Sequence, residues 1–264
     1  MPQASFTLKG YDLKQPTVIL LPDVLEEISG IFYAGKHSVY AICDDHGSLF
    51  KIDMRKPSEP QSWRFDEKRD YEDLFIVNDT FYILNSNGNL YSFSTKLHEP
   101  ITSEKHMFPF INHEFEILFF DEERKKLMLV CKHCRDIKDK AVPVYNFDPE
   151  ANEFEEDPFS LDTQKIAEAI GQAEIKFRPS AAVIKPGTRN VYMVSSVNKL
   201  LLVTGPRGKI KEIVQLDPHL FKQPEGITFT ETGDLIISNE ARGEGPANLL
   251  VFHPEPSHPG SVNS

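Results

Sequence analysis

A strand pattern that recurs about every 44 residues constrains this chain of 264 residues more than any single side chain does. Each copy opens with a small or acidic residue leading into an apolar strand, followed by a loop and a second, aromatic-rich strand. The copies begin at Ser29-Gly30-Ile31-Phe32, Glu72-Asp73-Leu74-Phe75, Glu116-Ile117-Leu118-Phe119, Ser180-Ala181-Ala182-Val183 and Glu225-Gly226-Ile227-Thr228. The intervals are 43, 44, 64 and 45 residues. A period of this length, made of strands, is that of one four-stranded blade of a β-propeller. Five blades with twenty strands account for the chain. Six blades are the alternative, but a sixth needs another ~44 residues, and the surplus between the third and fourth units is less than half of that.

Within the units the strands are predicted in one order. The first unit reads Ile28–Tyr33, Ser38–Cys43 and Ser48–Asp53, the second Asp73–Val77, Thr80–Leu84 and Asn89–Ser94. Asp44-Asp45-His46-Gly47 and Asn85-Ser86-Asn87-Gly88 occupy matched places between strands, where glycine accepts positive φ in a hairpin turn. The third unit reads Glu116–Phe120, Lys126–Cys131 and Val142–Phe147, with Cys131 and Cys134 on a longer loop. The fourth reads Ala182–Lys185, Asn190–Ser195 and Lys199–Thr204, and the fifth Gly226–Thr230, Asp234–Ser238 and Asn248–His253. Outer strands are expected at Trp63–Phe65, around Ile101–Phe108, near Phe154 and at Lys209–Leu216. The fifth unit has no room for one. Thr17–Leu21, a β-rich run without another home, is expected to pair with the last blade and close the ring, which removes an exposed edge. The surplus holds a short helix from Leu161, capped by Asp162 or Thr163 and ending at Gly171. One propeller domain over residues 10–255 results, between a flexible segment at 1–9 and a flexible tail at 256–264.

The innermost strand of each blade runs beside the central channel, so a residue repeated at its entrance forms a ring. That column reads Ser29, Glu72, Glu116, Ser180 and Glu225. Three carboxylates at one end of a narrow channel repel one another unless a cation or protons neutralise them. Hard oxygen donors of this kind suit Ca²⁺, which accepts mixed carboxylate, hydroxyl and carbonyl ligands. Strand capping, by bonds to neighbouring amides, is the ordinary role for the same glutamates. A second column falls where the second strands end, at Asp44 or Asp45, Ser86 or Asn87, Lys132, Ser196 and Asn239-Glu240. Most of these are turn formers; Lys132 and Glu240 are not, and with Arg178 they are candidates for a ligand-binding mouth.

A formal charge of −11 argues against nucleic acid, whose phosphates need a basic face. No run approaches the ~20 apolar residues of a membrane helix, and the first residues carry no signal-peptide pattern. The chain is thus either cytoplasmic or an exported protein written from a truncated start. Three cysteines make no disulfide framework; Cys131-Lys132-His133-Cys134 reads as a surface loop, with half a zinc site or a redox pair as alternatives, and it lacks the second pair a structural zinc needs. No nucleophile elbow, phosphate-binding loop or dinucleotide fingerprint occurs.

The stretches Glu27-Ile28-Ser29-Gly30-Ile31, Gln223-Pro224-Glu225-Gly226-Ile227 and Ile237-Ser238-Asn239-Glu240 carry a likeness. With them the chain resembles the SdiA-regulated domain proteins, the YjiK/CarP family of bacterial β-propellers, over roughly residues 10 to 255. The Ser-Glu-Glu-Ser-Glu order of the five units is that of the family, and Gly10-Tyr11-Asp12-Leu13 through Ser29 is similar to the mature start of exported, often lipid-anchored members. The resemblance implies a periplasmic or envelope-associated monomer with Glu72, Glu116 and Glu225 as channel acids and Glu240 nearby. Some members are described as phytase-like and linked to calcium. Phytase-type propellers gather many lysines, arginines and acids, whereas this face offers Lys132 and Arg178. The expectation is a non-catalytic binding propeller with Ca²⁺ in the channel and an unknown ligand or partner protein on the loop face. The alternative is a calcium-dependent phosphoester or lactone hydrolase.

Overall fold

The computed structural model describes residues 3–44, 46–110, 113–134, 141–241, 243 and 245–256. The first strand, β1 (Thr17–Leu20), precedes the first blade, which is β2 (Ile28–Tyr33), β3 (Ser38–Cys43), β4 (Ser48–Asp53) and β5 (Gln61–Arg64). The second blade is β6 (Tyr71–Val77), β7 (Thr80–Asn85), β8 (Leu90–Ser94) and β9 (Glu104–His106). The third is β10 (His113–Asp121), β11 (Lys126–Cys134), β12 (Ala141–Asp148) and β13 (Glu153–Asp162). A helix, α1 (Thr163–Ala169), leads to the fourth blade, β14 (Ala181–Ile184), β15 (Val191–Ser195), β16 (Leu200–Thr204) and β17 (Ile210–Gln215). In the fifth, β18 (Pro224–Phe229), β19 (Leu235–Asn239) and β20 (Asn248–Phe252) are completed by β1, which pairs antiparallel with β20 in the register Thr17↔Val251 to Leu20↔Asn248. The inner strands β2, β6, β10, β14 and β18 touch one another in a closed cycle. The chain is an all-β, five-bladed propeller closed by its N-terminal strand.

The core follows from this arrangement. Each blade has neighbours on both faces, so the middle strands carry apolar residues in continuous runs instead of alternating ones. β15, β16 and β19 are buried at every position. The buried side chains form five clusters, one between each adjacent pair of blades. Ile42, Leu49, Leu74 and Phe81 join the first and second blades, for example, and Ile117, Met128, Ala182 and Met193 the third and fourth. The helix caps on Asp162, whose carboxylate accepts from the Lys165 amide at 3.2 Å, and it buries Ile166 and Ala167 in the layer between the third and fourth blades.

Two expectations are corrected. β11 runs on to Cys134, so Cys131 and Lys132 lie in a strand rather than on a loop, and Cys131 is buried and disulfide-bonded. Residues 4–8 are not a loose lead-in: the amides of Ala4 and Ser5 bond the carbonyls of Ala169 and Ile213 at 3.0 and 2.8 Å, and Gln215 donates back to Ser5 at 2.8 Å. The outer edge of β17 leaves backbone groups free to take up a further segment, and Leu8 anchors it in the layer between the fourth and fifth blades. The tail lies outside the described residues from 257 onward.

Near the axis, backbones approach closely. A Cβ on Gly30 would stand 2.4 Å from Asp73 Oδ1 and 2.5 Å from Asp73 Cα, and one on Gly226 2.4 Å from Ser238 Oγ and 2.6 Å from the Ser29 carbonyl. Asp73 itself bridges inner strands, accepting from the amides of Leu74 and Leu118 at 2.8 Å each. Gly30→Ala is therefore expected to lower stability by about 1–3 kcal/mol through forced separation of the first two blades. Gly205→Ala, whose Cβ meets nothing closer than 3.4 Å, should stay within about 0.5 kcal/mol. Urea unfolding of both variants checks this, and equal midpoints would contradict it.

Candidate functional site

One backbone device builds the mouth of the channel. In β6 the register passes from Tyr71↔Asn85 to Asp73↔Leu84, in β10 from Phe115↔Cys131 to Ile117↔Val130, and in β18 from Pro224↔Asn239 to Gly226↔Ser238. Glu72, Glu116 and Glu225 are thus each the extra residue of a β-bulge. In the first blade Ser29 and Gly30 face a single residue of β3, between Ile28↔Cys43 and Ile31↔Ala41. Ser180 immediately precedes β14, with its amide on the Val194 carbonyl at 2.9 Å. A bulge leaves one residue out of the ladder and re-aims its side chain. Bulges at the same step of four repeats, with Ser180 at that step just ahead of β14 in the fourth blade, make a ring.

The glutamates do not share one role. Glu116, 8% exposed, forms an ion pair with Lys132 across the β10–β11 bulge, and Lys132 also stands 3.8 Å from Glu114. Glu225 is hydrogen-bonded by Ser196 and Gln223, and burial raises its pKa to about 7, against the pull of Lys132. Burial also drives Glu72 well above the carboxylate range, with the charges of Asp44, Asp70 and Glu225 adding to the effect and that of Lys132 opposing it. Glu240, 9% exposed, is raised by burial and by Glu225, hydrogen-bonds Glu27 and accepts from Gln223 Nε2. Asp44 is raised to about 6, chiefly by burial, although Ser29 Oγ donates to its carboxylate. Carboxyl groups of the first, second and fifth blades thus feel the charge of the Lys132 ammonium that Glu116 of the third blade pairs with, and protons offset much of the remaining repulsion.

Other predicted residues hold the frame. Ser180 Oγ donates to the Pro224 carbonyl at 2.6 Å, tying the fourth blade to the fifth. Arg178 presents its amide to Asn198 Oδ1 at 3.0 Å, and it lines with Lys132 a small cavity of about 130 Å³ beside β11 and β12. Sequence reasoning left out Glu27, Asp70 and Gln223. It had named Asp44 and Ser196 only among residues at turns. Asp44 signals itself solely by its place one step after β3, where turn chemistry explains an aspartate equally well.

The donor set is of the hard oxygen type that suits Ca²⁺. Yet among the described residues no group of three or more His, Cys, Asp or Glu side chains is arranged to hold a metal ion. Lys132 already occupies Glu116, so the donors fit Ca²⁺ in chemistry but are not preassembled around a common point.

No protein-family model matches the chain, and no curated protein matches it. Solved structures do. Glutaminyl cyclase of Myxococcus xanthus is similar with a TM-score of 0.61 at 13% identity, over 91% of this chain and 96% of that one. A luciferin-regenerating enzyme reaches 0.53 at 10% identity, over 90% and 95% of the two chains. A streptogramin B lyase reaches 0.53 at 10%, over 90% and 98%. At such identities the likeness shows the β-propeller fold and no activity.

Acids with raised pKa bind protons more tightly in the folded chain than in the unfolded one. Their contribution to stability is present at low pH and declines as pH rises from the unfolded values of about 3.9 for Asp and about 4.3 for Glu. The decline runs through about 6 for Asp44 and about 7 for Glu225, and beyond for Glu72 and Glu240. In chelator-containing buffer the Tm should accordingly be higher near pH 5.5 than near pH 9, and Glu72→Gln should narrow the gap. A wild-type Tm that is flat or rises over this window would contradict the electrostatics described here.

Proposed function

We propose that this protein is a non-catalytic binding propeller of the bacterial cell envelope, whose acid-lined channel mouth takes up a cation, with Ca²⁺ the best match. A ligand or partner protein engages the loops around that mouth. One observation carries this: three bulges put Glu72, Glu116 and Glu225 at the same step of three blades, with Lys132 the one cation paired to any of them among the described residues. Oxygen donors in excess of positive charge favour a hard divalent ion, and Ca²⁺ tolerates irregular geometry where Mg²⁺ demands an octahedron. When bound, the ion neutralises carboxylates that otherwise repel. Glu72 and Glu225 would hold it, with Asp44 and Glu240 alongside. The envelope location rests on the short stretches around Ser29 and Glu225 that resemble the SdiA-regulated domain proteins.

A hydrolase is the second reading, favoured by Glu225: a carboxyl held near neutrality suits a general base. Phosphoesters are its weaker substrates, since Lys132 is engaged by Glu116 and Arg178 is set to one side.

Calorimetry and thermal melts on chelator-treated protein test the main reading. At a hundredfold excess over Kd, Ca²⁺ stabilises by about 2.7 kcal/mol, which corresponds to a Tm rise of roughly 5–10 °C for a chain of this size. Glu72→Gln and Glu225→Gln should each lose most of that rise, and Mg²⁺ should give little of it. Absence of both heat and a Tm shift in the wild type would remove the calcium proposal. Turnover of chromogenic phosphoesters or lactones, abolished in Glu225→Gln, would replace binding with catalysis.

A further inference from the structure

All five inner strands run the same way, so their C-terminal ends meet at the other mouth of the channel, and there the chemistry is different. Residues from these strands wall a cavity of about 600 Å³ whose floor includes Ile31, Leu74, Leu118 and Ile227. On one side stand Phe32, Phe75 and Phe120, from the first three blades. Their rings run in series, with centroids 5.0 Å apart and edge-to-face between the first two and 6.1 Å apart between the last two. All three are only partly buried, at the margin of the layers between the first three blades.

Charged groups come from the turn between β10 and β11 and from the segment after β14. Lys185, just after β14, holds its Nζ over the rings of Tyr11, Phe229 and Tyr192 at 4.7, 5.7 and 5.8 Å. It makes no ion pair among the described residues. Ring faces attract an ammonium group but leave its charge unneutralised. Three of the four acids that line the cavity are otherwise engaged. Asp73 accepts from two backbone amides, Asp121 accepts from the amides of Glu123 and Arg124 at 3.1 and 3.2 Å, and Glu123 pairs with Arg189. Arg124 pairs with Asp157, and Glu122 stays exposed at the rim.

From this we propose a second binding site, distinct from the acidic mouth, for a small aromatic carboxylate. Its ring packs against Phe32, Phe75 and Phe120, and its carboxylate pairs with Lys185. The volume falls within the ~300–1,000 Å³ of small-molecule pockets. Phenylalanines presented edge and face favour another aromatic ring over an aliphatic chain. Charge complementarity selects the anion, because a charge-assisted hydrogen bond to Lys185 is stronger than any contact a neutral analogue makes there.

Titration calorimetry with 2-naphthoate and its neutral counterpart 2-naphthalenemethanol tests the proposal. Wild-type protein should bind the carboxylate about tenfold or more tightly than the alcohol. Lys185→Met, which keeps an apolar stem on Tyr11, should abolish that preference by weakening the carboxylate alone. A measurement on the unmodified sequence guards against a variant that folds poorly: naphthoate should slow acetylation of Lys185 by a limiting amine-reactive reagent, read by mass spectrometry. Glu225→Gln should bind naphthoate normally, so failure here and failure of the cation site are separable. Equal affinity for acid and alcohol, no binding of either at millimolar concentration, or no protection of Lys185 would each overturn the site.

Discussion

Pairing between Thr17–Leu20 and Asn248–Phe252 joins the two ends of the chain, and the rest of the molecule depends on that junction. Every apolar layer lies between two blades, so a blade contributes to the core only when both neighbours are in place. An open row of five would leave two apolar faces in water and β20 with an unpaired edge. The four residues of β1 and the adjoining Leu21, buried in the layer between the fifth and first blades, prevent this. The closure spans most of the chain, yet the entropic cost of a loop grows only with the logarithm of its length. Large separation in sequence is thus a modest obstacle beside a whole layer of buried side chains.

A closed ring also makes the acidic mouth tolerable. Burying several carboxyls near one another costs free energy, which protonation, the Lys132–Glu116 pair and hydrogen bonds from Ser29, Ser196 and Gln223 reduce. What remains is carried by a scaffold whose blades are cross-tied at the same level. Asp73 ties the second blade to the third, Ser180 the fourth to the fifth, and Ser238 the fifth to the first through the Ser29 carbonyl at 3.2 Å. Gly30 and Gly226 let those backbones come close enough to be tied. The crowding of the carboxyls and the cross-ties around them are two consequences of one narrow axis.

Blade number, ring closure and the Asp162-capped helix were legible in the sequence because each has a local signature: a period, a β-rich run without a partner, and a capping residue before an apolar pattern. The column of Ser29, Glu72, Glu116, Ser180 and Glu225 was legible for the same reason. Its detailed chemistry was not. That Lys132 meets Glu116 depends on a bulge that shifts register by one residue, and no local pattern announces a bulge there. The polar run from Lys132 to Cys134 masked the extension of β11, because a strand that leaves the core no longer alternates or runs apolar. Residues 4–8 look unstructured in isolation and are held by an edge that only the folded fourth blade provides. Phe32, Phe75 and Phe120 read as core volume, since composition cannot separate a phenylalanine deep between blades from one at the margin of such a layer that also lines a cavity.

In a ring of repeats whose inner strands share one direction, a residue preference at one step of the repeat becomes a property of one level of the channel. Early in the strand that preference is for glutamate or serine on a bulge, and it produces a mouth with more carboxyls than cations among the described residues. Three or four residues later it is for phenylalanine in the first three blades, with Lys185 following the strand in the fourth, and it produces an aromatic wall opposite an ammonium group. Departures from the repeat matter as much as the repeat. Five identical blades would bind only along the axis, whereas Phe32, Phe75 and Phe120 on one side and Lys185 on the other define a direction across it. An axial ion requires no such direction, but a flat molecule with one charged end does, and the blade-to-blade differences in this sequence supply it.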